Sequence, residues 1–265
     1  MDIYLNTAIS AAIEAGKEIM KIYSDENSDF GVEMKADNSP LTVADKKSDE
    51  VIGQYLRKTG IPILSEEIKN RPFSERSSWR RAWIVDPLDG TKEFIKRNGE
   101  FTVNIALIED GKPIIGVIYI PVKQILYFGS KNKGSFKAVD AESSGNIEDI
   151  ITKSVKLPEA NPGRPFTVIA SRSHLTPETE SFIANEKVEH PELTTISVGS
   201  SIKICLVCEG SADVYPRFAP TMEWDTAAGD GIARSMGLKC TLADGVTPLV
   251  YNKEDLMNPW FIIKR

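Results

Sequence analysis

Hydrophobic residues recur at every third or fourth position near the start of the chain. The series consists of Ala8, Ile9, Ala12, Ile13, Gly16, Ile19, Met20 and Tyr23. This spacing places the apolar side chains on one face of an amphipathic helix. A second helix is predicted over about Val43 to Lys58, because Thr42 has the side chain of an N-cap residue.

Short apolar runs bounded by turn residues predict strands in the first half of the chain. They cover 61–64, 82–85, 101–108, 114–120 and 125–128. Asp110 and Gly111 form a typical two-residue hairpin turn between the third and fourth of these strands. The polar stretch 68–78, which contains proline and arginine, predicts a mobile loop.

The segment 131–165 is rich in glycine, serine, asparagine and proline and is the best candidate for a subdomain boundary. Beyond it, predicted strands and helices alternate: strands over 167–170, 194–198 and 212–215, helices over 177–185, 201–209 and 225–236. We therefore predict a layered α/β or α+β architecture. Its N-terminal α+β subdomain covers 1–135 and its C-terminal α/β subdomain covers 136–265.

The 265 residues carry a formal charge of −6. This argues against a nucleic-acid-binding protein, because such proteins present a net basic surface. No window approaches the roughly 20 apolar residues of a membrane-spanning helix, and the N-terminus is not that of a signal peptide.

Three cysteines, an odd and sparse set, suit a reducing cytoplasm. Cys205 and Cys208 lie in an apolar run, which favours core packing over zinc or redox chemistry.

The most informative stretch, 83–91, reads WIVDPLDGT. A buried strand is predicted to end at Asp86, where Pro87 directs the chain out of the sheet because proline lacks a backbone donor and has a fixed φ. Asp89 follows three residues after Asp86, so both carboxylates can converge on one point. The next two residues could begin a helix whose free amides face an anion.

This stretch combines oxygen ligands for a cation with amide donors for a phosphate. Magnesium prefers such ligands and keeps several waters, so a few carboxylates suffice. Two metals about 3.5–4 Å apart could hold both the attacking and the leaving oxygen. A strand that ends in an Asx-type turn explains the bare motif equally well. Glu66, Glu67 and Asp225, each of which alone suits a surface or helix-start acid, together favour the metal site.

Three motifs occur in one order and spacing: LSEE at 64–67, WIVDPLDGT at 83–91 and WDTAA at 224–228. In this the whole chain resembles the inositol monophosphatase superfamily. The stretch TKEFIKRNGEFTVN at 91–104 is similar to the CysQ-type branch, the 3′(2′),5′-bisphosphate nucleotidases. Further stretches strengthen the resemblance: SRSH at 171–174, GSSIK at 199–203 and YPRF at 215–218.

The resemblance implies a layered α-β-α-β-α sandwich of the inositol monophosphatase and sugar phosphatase type, which binds two or three Mg²⁺ ions in a cleft between the subdomains. The implied metal ligands are Glu66, Asp86, Asp89, Asp225 and the backbone carbonyl of Leu88. The implied catalytic residues are Asp45, Glu66 and Thr91. The implied substrate contacts are Glu66, Leu88, Asp89, Gly90, Thr91, His174, Gly199, Lys203 and Asp225.

The implied reaction is hydrolysis of adenosine 3′,5′-bisphosphate to AMP, or of its 5′-sulfated relative, by metal-activated water and without a phosphoenzyme. Lys203 would neutralise the phosphate that is not cleaved; without the resemblance it is better interpreted as a surface lysine. Inhibition by lithium is also expected.

Two alternatives remain open: an inositol monophosphatase or sugar bisphosphatase of the same superfamily, and a non-catalytic nucleotide or metal sensor. The expected partner is a small nucleotide bisphosphate, with no nucleic acid and no integral membrane contact. We expect a cytoplasmic protein, and a peripheral contact with the cytoplasmic face of the inner membrane stays open, as does the oligomeric state.

Overall fold

The computed structural model describes residues 2–25, 29–35, 39–69, 71–144, 146–159, 163–170 and 176–265. The helices are α1 (Ile3–Tyr23), α2 (Val43–Leu56), α3 (Phe73–Arg76), α4 (Thr91–Ile95), α5 (Ile147–Lys153), α6 (Pro177–Glu189), α7 (Ile202–Glu209) and α8 (Glu223–Ser235). The strands are β1 (Glu33–Met34), β2 (Pro40–Leu41), β3 (Ile63–Ser65), β4 (Arg81–Asp89), β5 (Thr102–Glu109), β6 (Lys112–Ile120), β7 (Ile125–Ser130), β8 (Gly134–Ala138), β9 (Val155–Lys156), β10 (Thr167–Ala170), β11 (Thr194–Ser197), β12 (Val214–Arg217), β13 (Lys239–Leu242) and β14 (Phe261–Lys264).

The strands form two large sheets and one small hairpin. The first sheet has the order β3-β4-β5-β6-β7-β8-β9, and its strands are antiparallel except for the parallel pair β3–β4. The second sheet has the order β11-β10-β12-β14-β13 and is mixed. Strands β1 and β2 pair with each other in the hairpin. Asp110 and Gly111 both have positive φ, as a two-residue turn between β5 and β6 requires.

Alternation along β4 shows how the layers are built. Trp83 and Val85 face a core formed with α1 and α2, whereas Ala82 and Ile84 face a core formed with α7, α8 and the second sheet. Helix α6 contacts the outer side of the second sheet through Phe182, which packs on Phe218. The layers therefore follow the order α-β-α-β-α, and the predicted sandwich is confirmed.

Helix α8 packs against the first sheet at a point where two backbones touch. A Cβ atom added to Gly116 on β6 would lie 2.0 Å from the Ala228 carbonyl oxygen and 2.8 Å from the Ile232 nitrogen. A Cβ added to Gly231 would lie 2.9 Å from the Ile115 carbonyl oxygen. Only glycine at these positions allows the helix to approach so closely, and this contact fixes the height of α8 above the sheet.

Several element boundaries differ from the prediction. Strand β4 does not stop at Asp86 but continues to Asp89, because its register against β5 shifts between these two residues and leaves Pro87 outside the regular ladder. The stretch predicted as a loop contains α3, and the predicted boundary segment contains β8, α5 and β9. Strands β13 and β14 were not predicted. The division of the chain at residue 135 stays a prediction.

Cys205, Cys208 and Cys240 are all buried and unpaired, and all three pack in the core between the sheets. Burial raises the pKa of the Cys208 thiol to about 12, so this side chain stays a neutral hydrophobic group. Among the helices that the structure describes, none has the length and apolar character needed to cross a membrane.

Candidate active site

A cavity of about 560 Å³ opens where elements of the two large sheets meet. The predicted site residues that line it are Glu66, Asp89, Gly90, Thr91, Gly199, Lys203 and Asp225. Asp45, Asp86 and Leu88 are buried behind this lining. His174, the remaining predicted contact, lies outside the described residues. Residues predicted from distant parts of the chain thus surround one space.

Asp86 occupies the base of the site. Its side chain is 1% exposed, and the Leu88 amide donates a 3.0 Å hydrogen bond to Asp86 Oδ1. Burial, and then the negative charges of four other carboxylates, raise the pKa of Asp86 well above its usual range. Those carboxylates belong to Glu66, Asp89, Asp225 and Asp45, in decreasing order of effect. Such repulsion requires that these acids lie near Asp86.

Ser201 holds two of these acids together. Its amide and its Oγ each lie 2.6 Å from Asp89 Oδ2, and its Oγ also lies 2.9 Å from the Asp225 carbonyl oxygen. Asp225 belongs to the first turn of α8 and accepts a 2.9 Å hydrogen bond from the Met222 amide at Oδ2. Burial, reinforced by Asp89, raises the pKa of Asp225 to about 8. The end of β4 and the start of α8 therefore deliver carboxylates to one point.

These acids suit divalent cations by the chemistry of their donors. Carboxylate oxygens are the ligands that magnesium prefers, and a nearby cation would remove the repulsion that raises their pKa values. In the described part of the chain, no set of three His, Cys, Asp or Glu side chains is already gathered as a ligand cage. Magnesium keeps several waters and takes oxygens from a substrate phosphate.

Lys35 supplies a positive charge at this site that the sequence analysis did not identify. Its Nζ lies 2.7 Å from Glu66 Oε1 and 2.7 Å from Glu67 Oε1. Burial opposes the charge on Lys35, but the two glutamates outweigh it and raise the pKa of the ammonium. For Glu67, burial outweighs this partner and raises the pKa to about 7. The hairpin β1–β2 is thereby tied to the acid that follows β3.

Thr91 and Asp45 form a direct pair. Thr91 Oγ1 lies 3.0 Å from Asp45 Oδ1, while the Thr42 amide and hydroxyl donate to Asp45 Oδ2 at 2.7 and 2.5 Å. This capping arrangement at the start of α2 fixes the orientation of the carboxylate. Burial raises the pKa of Asp45, although the hydrogen bonds from Thr42 and Thr91 oppose that effect. A carboxylate with a raised pKa is the better proton acceptor.

Gly90 turns the chain from β4 into α4. Its φ of 95° lies in the left-handed region, and an added Cβ would lie 3.1 Å from the Glu100 carbonyl oxygen. Glycine is therefore required for both conformation and space. The first amides of α4, at Thr91 and Lys92, have no acceptor within the helix and lie at the cavity wall. They are suitably placed to donate to an anion.

The cavity is also lined by basic side chains. Lys203 is 8% exposed, and its Nζ donates a 3.2 Å hydrogen bond to the Val198 carbonyl. Burial lowers the pKa of Lys203 to about 8, with Asp89 opposing this effect and Arg217 adding to it. Arg217 lines the same cavity and has a buried Nε with no hydrogen-bond partner among the described residues. Two cations thus line the same cavity as Glu66, Asp89 and Asp225.

The sequence alone did not predict Lys35, Ser201 and Arg217 as individual site residues. Ser201 and Arg217 lie within stretches that carried the family resemblance, so that resemblance could have pointed to them. Lys35 offered no signal, because it is a single lysine in a short polar segment far along the chain from its two partners. Only the fold brings it to Glu66 and Glu67.

The chain matches the sequence model described as the inositol monophosphatase family over residues 1–261. It belongs to the inositol monophosphatase family. A relative from Escherichia coli K12, named 3′(2′),5′-bisphosphate nucleotidase CysQ, is 45% identical over 97% of this chain and 98% of its own length. CysQ from Bacteroides thetaiotaomicron, a bacterial member of the inositol monophosphatase family, has a crystal structure that is 55% identical, with a TM-score of 0.89 and coverage of 97% and 95%.

A more distantly related solved structure shares the fold. The extragenic suppressor protein suhB from Bartonella henselae is 23% identical and has a TM-score of 0.75 over 100% of this chain and 94% of its own. The family assignment predicted from the three acidic motifs is confirmed. The roles of the individual site residues stay predictions.

Proposed function

We propose that this protein is a 3′(2′),5′-bisphosphate nucleotidase that hydrolyses adenosine 3′,5′-bisphosphate to AMP and phosphate, or the 5′-sulfated relative to adenosine 5′-phosphosulfate and phosphate. The observation that carries the proposal is that one cavity combines acids with cations. Its acids, here called the acidic side, are Asp89 and Asp225 with Asp86 buried behind them, and its cations are Lys203 and Arg217. The names of the near relatives support the same activity.

The acidic side would hold two or three Mg²⁺ ions through Glu66, Asp86, Asp89, Asp225 and the Leu88 carbonyl. When bound, such ions neutralise phosphate charge and favour deprotonation of the attacking water. The raised pKa values of Asp86 and Asp225 support this assignment, because a site built from mutually repelling acids is stabilised by cations.

Side chains and backbone amides of the protein would perform the other parts of the reaction. Asp45 would accept a proton from the attacking water through Thr91, since a threonine hydroxyl alone is too weak a base. The first amides of α4 would donate to the phosphate that is cleaved. Lys203 and Arg217 would bind the phosphate that is not cleaved, and Gly199 lines the same cavity. No phosphoenzyme is needed in this scheme.

Inositol monophosphates are the second candidate class, because they would use the same acidic side. They lack a second phosphate, however, and would leave the buried Lys203 and the half-buried Arg217 without a phosphate to bind, which costs binding free energy. A non-catalytic sensor would need the acids but not the Thr91–Asp45 pair. The direct hydrogen bond between these two residues therefore favours an enzyme over a sensor.

We also propose that the protein works in the cytoplasm. Its three cysteines are buried and unpaired, which suits a reducing compartment. The described residues offer no observation in favour of a peripheral membrane contact, so the proposal is limited to the cytoplasm.

The substrate assignment predicts a clear preference in steady-state assays. With magnesium, kcat/KM for adenosine 3′,5′-bisphosphate should exceed that for inositol 1-phosphate by about 100-fold, since the uncleaved phosphate gains charge-assisted hydrogen bonds of about 1.5–3 kcal/mol each. Phosphate release from both substrates, with AMP as the matched monophosphate control, provides the measurement. Faster turnover of inositol 1-phosphate would reject the nucleotidase and favour the second candidate.

A pH dependence follows from Lys203, whose pKa is lowered to about 8. Below that pH the free enzyme carries the ammonium; above it the charge is lost and the uncleaved phosphate is bound less tightly. We expect KM for the bisphosphate to rise by about tenfold above pH 8 while kcat stays nearly constant, because this interaction serves binding.

The control for this pH profile is a second lysine at the cavity opening. Lys203→Met should have a high KM that no longer changes near pH 8, whereas Lys96→Met should keep the change, because Lys96 is exposed at the rim. If KM of the Lys203→Met variant still rises near pH 8, the group that titrates is not Lys203.

A further inference from the structure

Glu223, the first residue of α8, is a fully buried carboxylate that the proposed chemistry does not use. Its Oε2 accepts a 2.6 Å hydrogen bond from the Asn252 amide, and its Oε1 accepts hydrogen bonds from the Lys253 amide at 2.9 Å and Lys253 Nζ at 2.5 Å. These bonds attach the first turn of α8 to the segment 250–254. Asp225 belongs to that same turn.

Arg76 attaches this segment to the other half of the site. It is 3% exposed, and its Nη1 lies 2.7 Å from Asn252 Oδ1 and 3.0 Å from the Lys253 carbonyl. Asn252 Nδ2 in turn donates to the Arg76 carbonyl at 2.7 Å. The two residues therefore exchange hydrogen bonds in both directions, although they are 176 positions apart in the chain.

The three residues connect the two chain segments that deliver acids to the cavity. Arg76 lies in the connection between β3 and β4, which begins with Glu66. Glu223 lies two residues before Asp225. A displacement of either segment would therefore have to break hydrogen bonds of buried groups, which is costly.

We propose that Arg76, Asn252 and Glu223 form a clamp that positions Asp225 relative to Glu66 and so sets the affinity of the acidic site for divalent cations. The clamp residues are positioning residues, since they contact neither substrate nor reacting atoms. The inference rests on the proposed function only in taking Glu66 and Asp225 as ligands. Outer hydrogen-bond partners of this kind typically change metal affinity by about 10–100-fold when removed.

Asn252 is the best position for a test substitution because of its backbone conformation. Its φ of 60° lies in the left-handed region, where glycine is favoured. Asn252→Gly therefore removes the side-chain hydrogen bonds to Arg76 without straining the chain, and the amide that binds Glu223 remains. Arg76→Met removes the guanidinium bonds to Asn252 Oδ1 and to the Lys253 carbonyl, whereas the Arg76 carbonyl can still accept a hydrogen bond from Asn252 Nδ2. Similar effects from both variants are expected, because both break one connection.

The test is calorimetric titration with Mn²⁺ and with Mg²⁺ in the absence of substrate, accompanied by the metal-dependent rise in Tm. Asn252→Gly and Arg76→Met should each weaken binding by about tenfold. In assays, half-maximal activity should need correspondingly more magnesium, while kcat at saturating magnesium should stay within about twofold. A change in metal affinity without a change in kcat distinguishes a residue that positions a metal ligand from one that takes part in the reaction.

Two controls distinguish the clamp from a general loss of stability. Arg80→Met changes an exposed arginine in the same connection and should leave metal binding unchanged. Ile52→Val, a substitution in the core under α2, should lower Tm without changing metal affinity. If the two clamp variants lower Tm but bind metal like the unchanged protein, the clamp is only structural and the inference is overturned.

The outcome also separates this inference from the proposed function. A protein that binds metal in a clamp-dependent way but hydrolyses no bisphosphate would support the clamp and reject the nucleotidase. A protein that hydrolyses the bisphosphate with unchanged metal affinity in both variants would do the reverse. A protein that binds no divalent cation would reject both.

Discussion

Asp86→Asn is expected to reduce phosphate release in magnesium by at least about 100-fold, without loss of stability in the metal-free protein. Loss of an outer partner of a metal ligand already weakens metal binding by about 10–100-fold, so loss of a central ligand should have a larger effect. Asparagine keeps an oxygen for the Leu88 amide. It also removes one buried negative charge from a cluster of mutually repelling acids.

The measurement combines steady-state phosphate release with thermal melts in the presence and absence of magnesium. The variant should melt at or above the temperature of the unchanged metal-free protein, and magnesium should raise its Tm less. Asp49→Asn is the matched control, since this half-buried carboxyl bonds Ser65 and lies outside the proposed metal set. Unchanged phosphate release in Asp86→Asn would reject the metal mechanism.

Gly116→Ala is expected to destabilise the protein by about 3 kcal/mol or more, the upper end of typical overpacking effects. The added methyl group would overlap the Ala228 carbonyl oxygen and the Ile232 nitrogen, which are backbone atoms and cannot rotate away. Relief requires α8 to move off β6. For a chain of this size, such a loss lowers Tm by roughly 6–12 °C.

Calorimetric melts would measure this effect, with Gly60→Asn as control. Gly60 has a φ of 70° and no atom within 4 Å of an added Cβ, and asparagine tolerates that conformation. The control should therefore change Tm little. A Gly116→Ala protein with the Tm of the unchanged protein would show that α8 adapts, and that its close contact with β6 is not needed.

The sequence predicted those features that local patterns determine. The helical stripe before Tyr23, the cap at Thr42 and the hairpin at Asp110 each follow from the preferences of neighbouring residues. The acidic motifs indicated the family, and membership of that family implied the layered fold. The two short strands β13 and β14 escaped notice, since their apolar runs are brief and their pairing depends on a sheet assembled from distant segments.

In the candidate site, too, some features follow from local sequence and others depend on the fold. Asp86 and Asp89 are close in sequence, so their convergence could be argued from the turn alone. The contributions of Lys35 and Arg76 depend on partners 31 and 176 positions away, and no local pattern reports such distances. The end of β4 was misjudged because Pro87 was taken to end the strand, whereas a shift in register accommodates it.

The close seating of α8 on β6 also bears on how this scaffold can diversify. Gly116 and Gly231 leave no side chain between α8 and the first sheet. The distance between the acid on α8 and the acids on the sheet can therefore change little during evolution. The opening of the cavity is different, because Lys96, Pro220 and Thr221 line it from exposed turns. New substrate preferences should therefore arise by exchange of such outer residues, on a platform whose geometry stays constant.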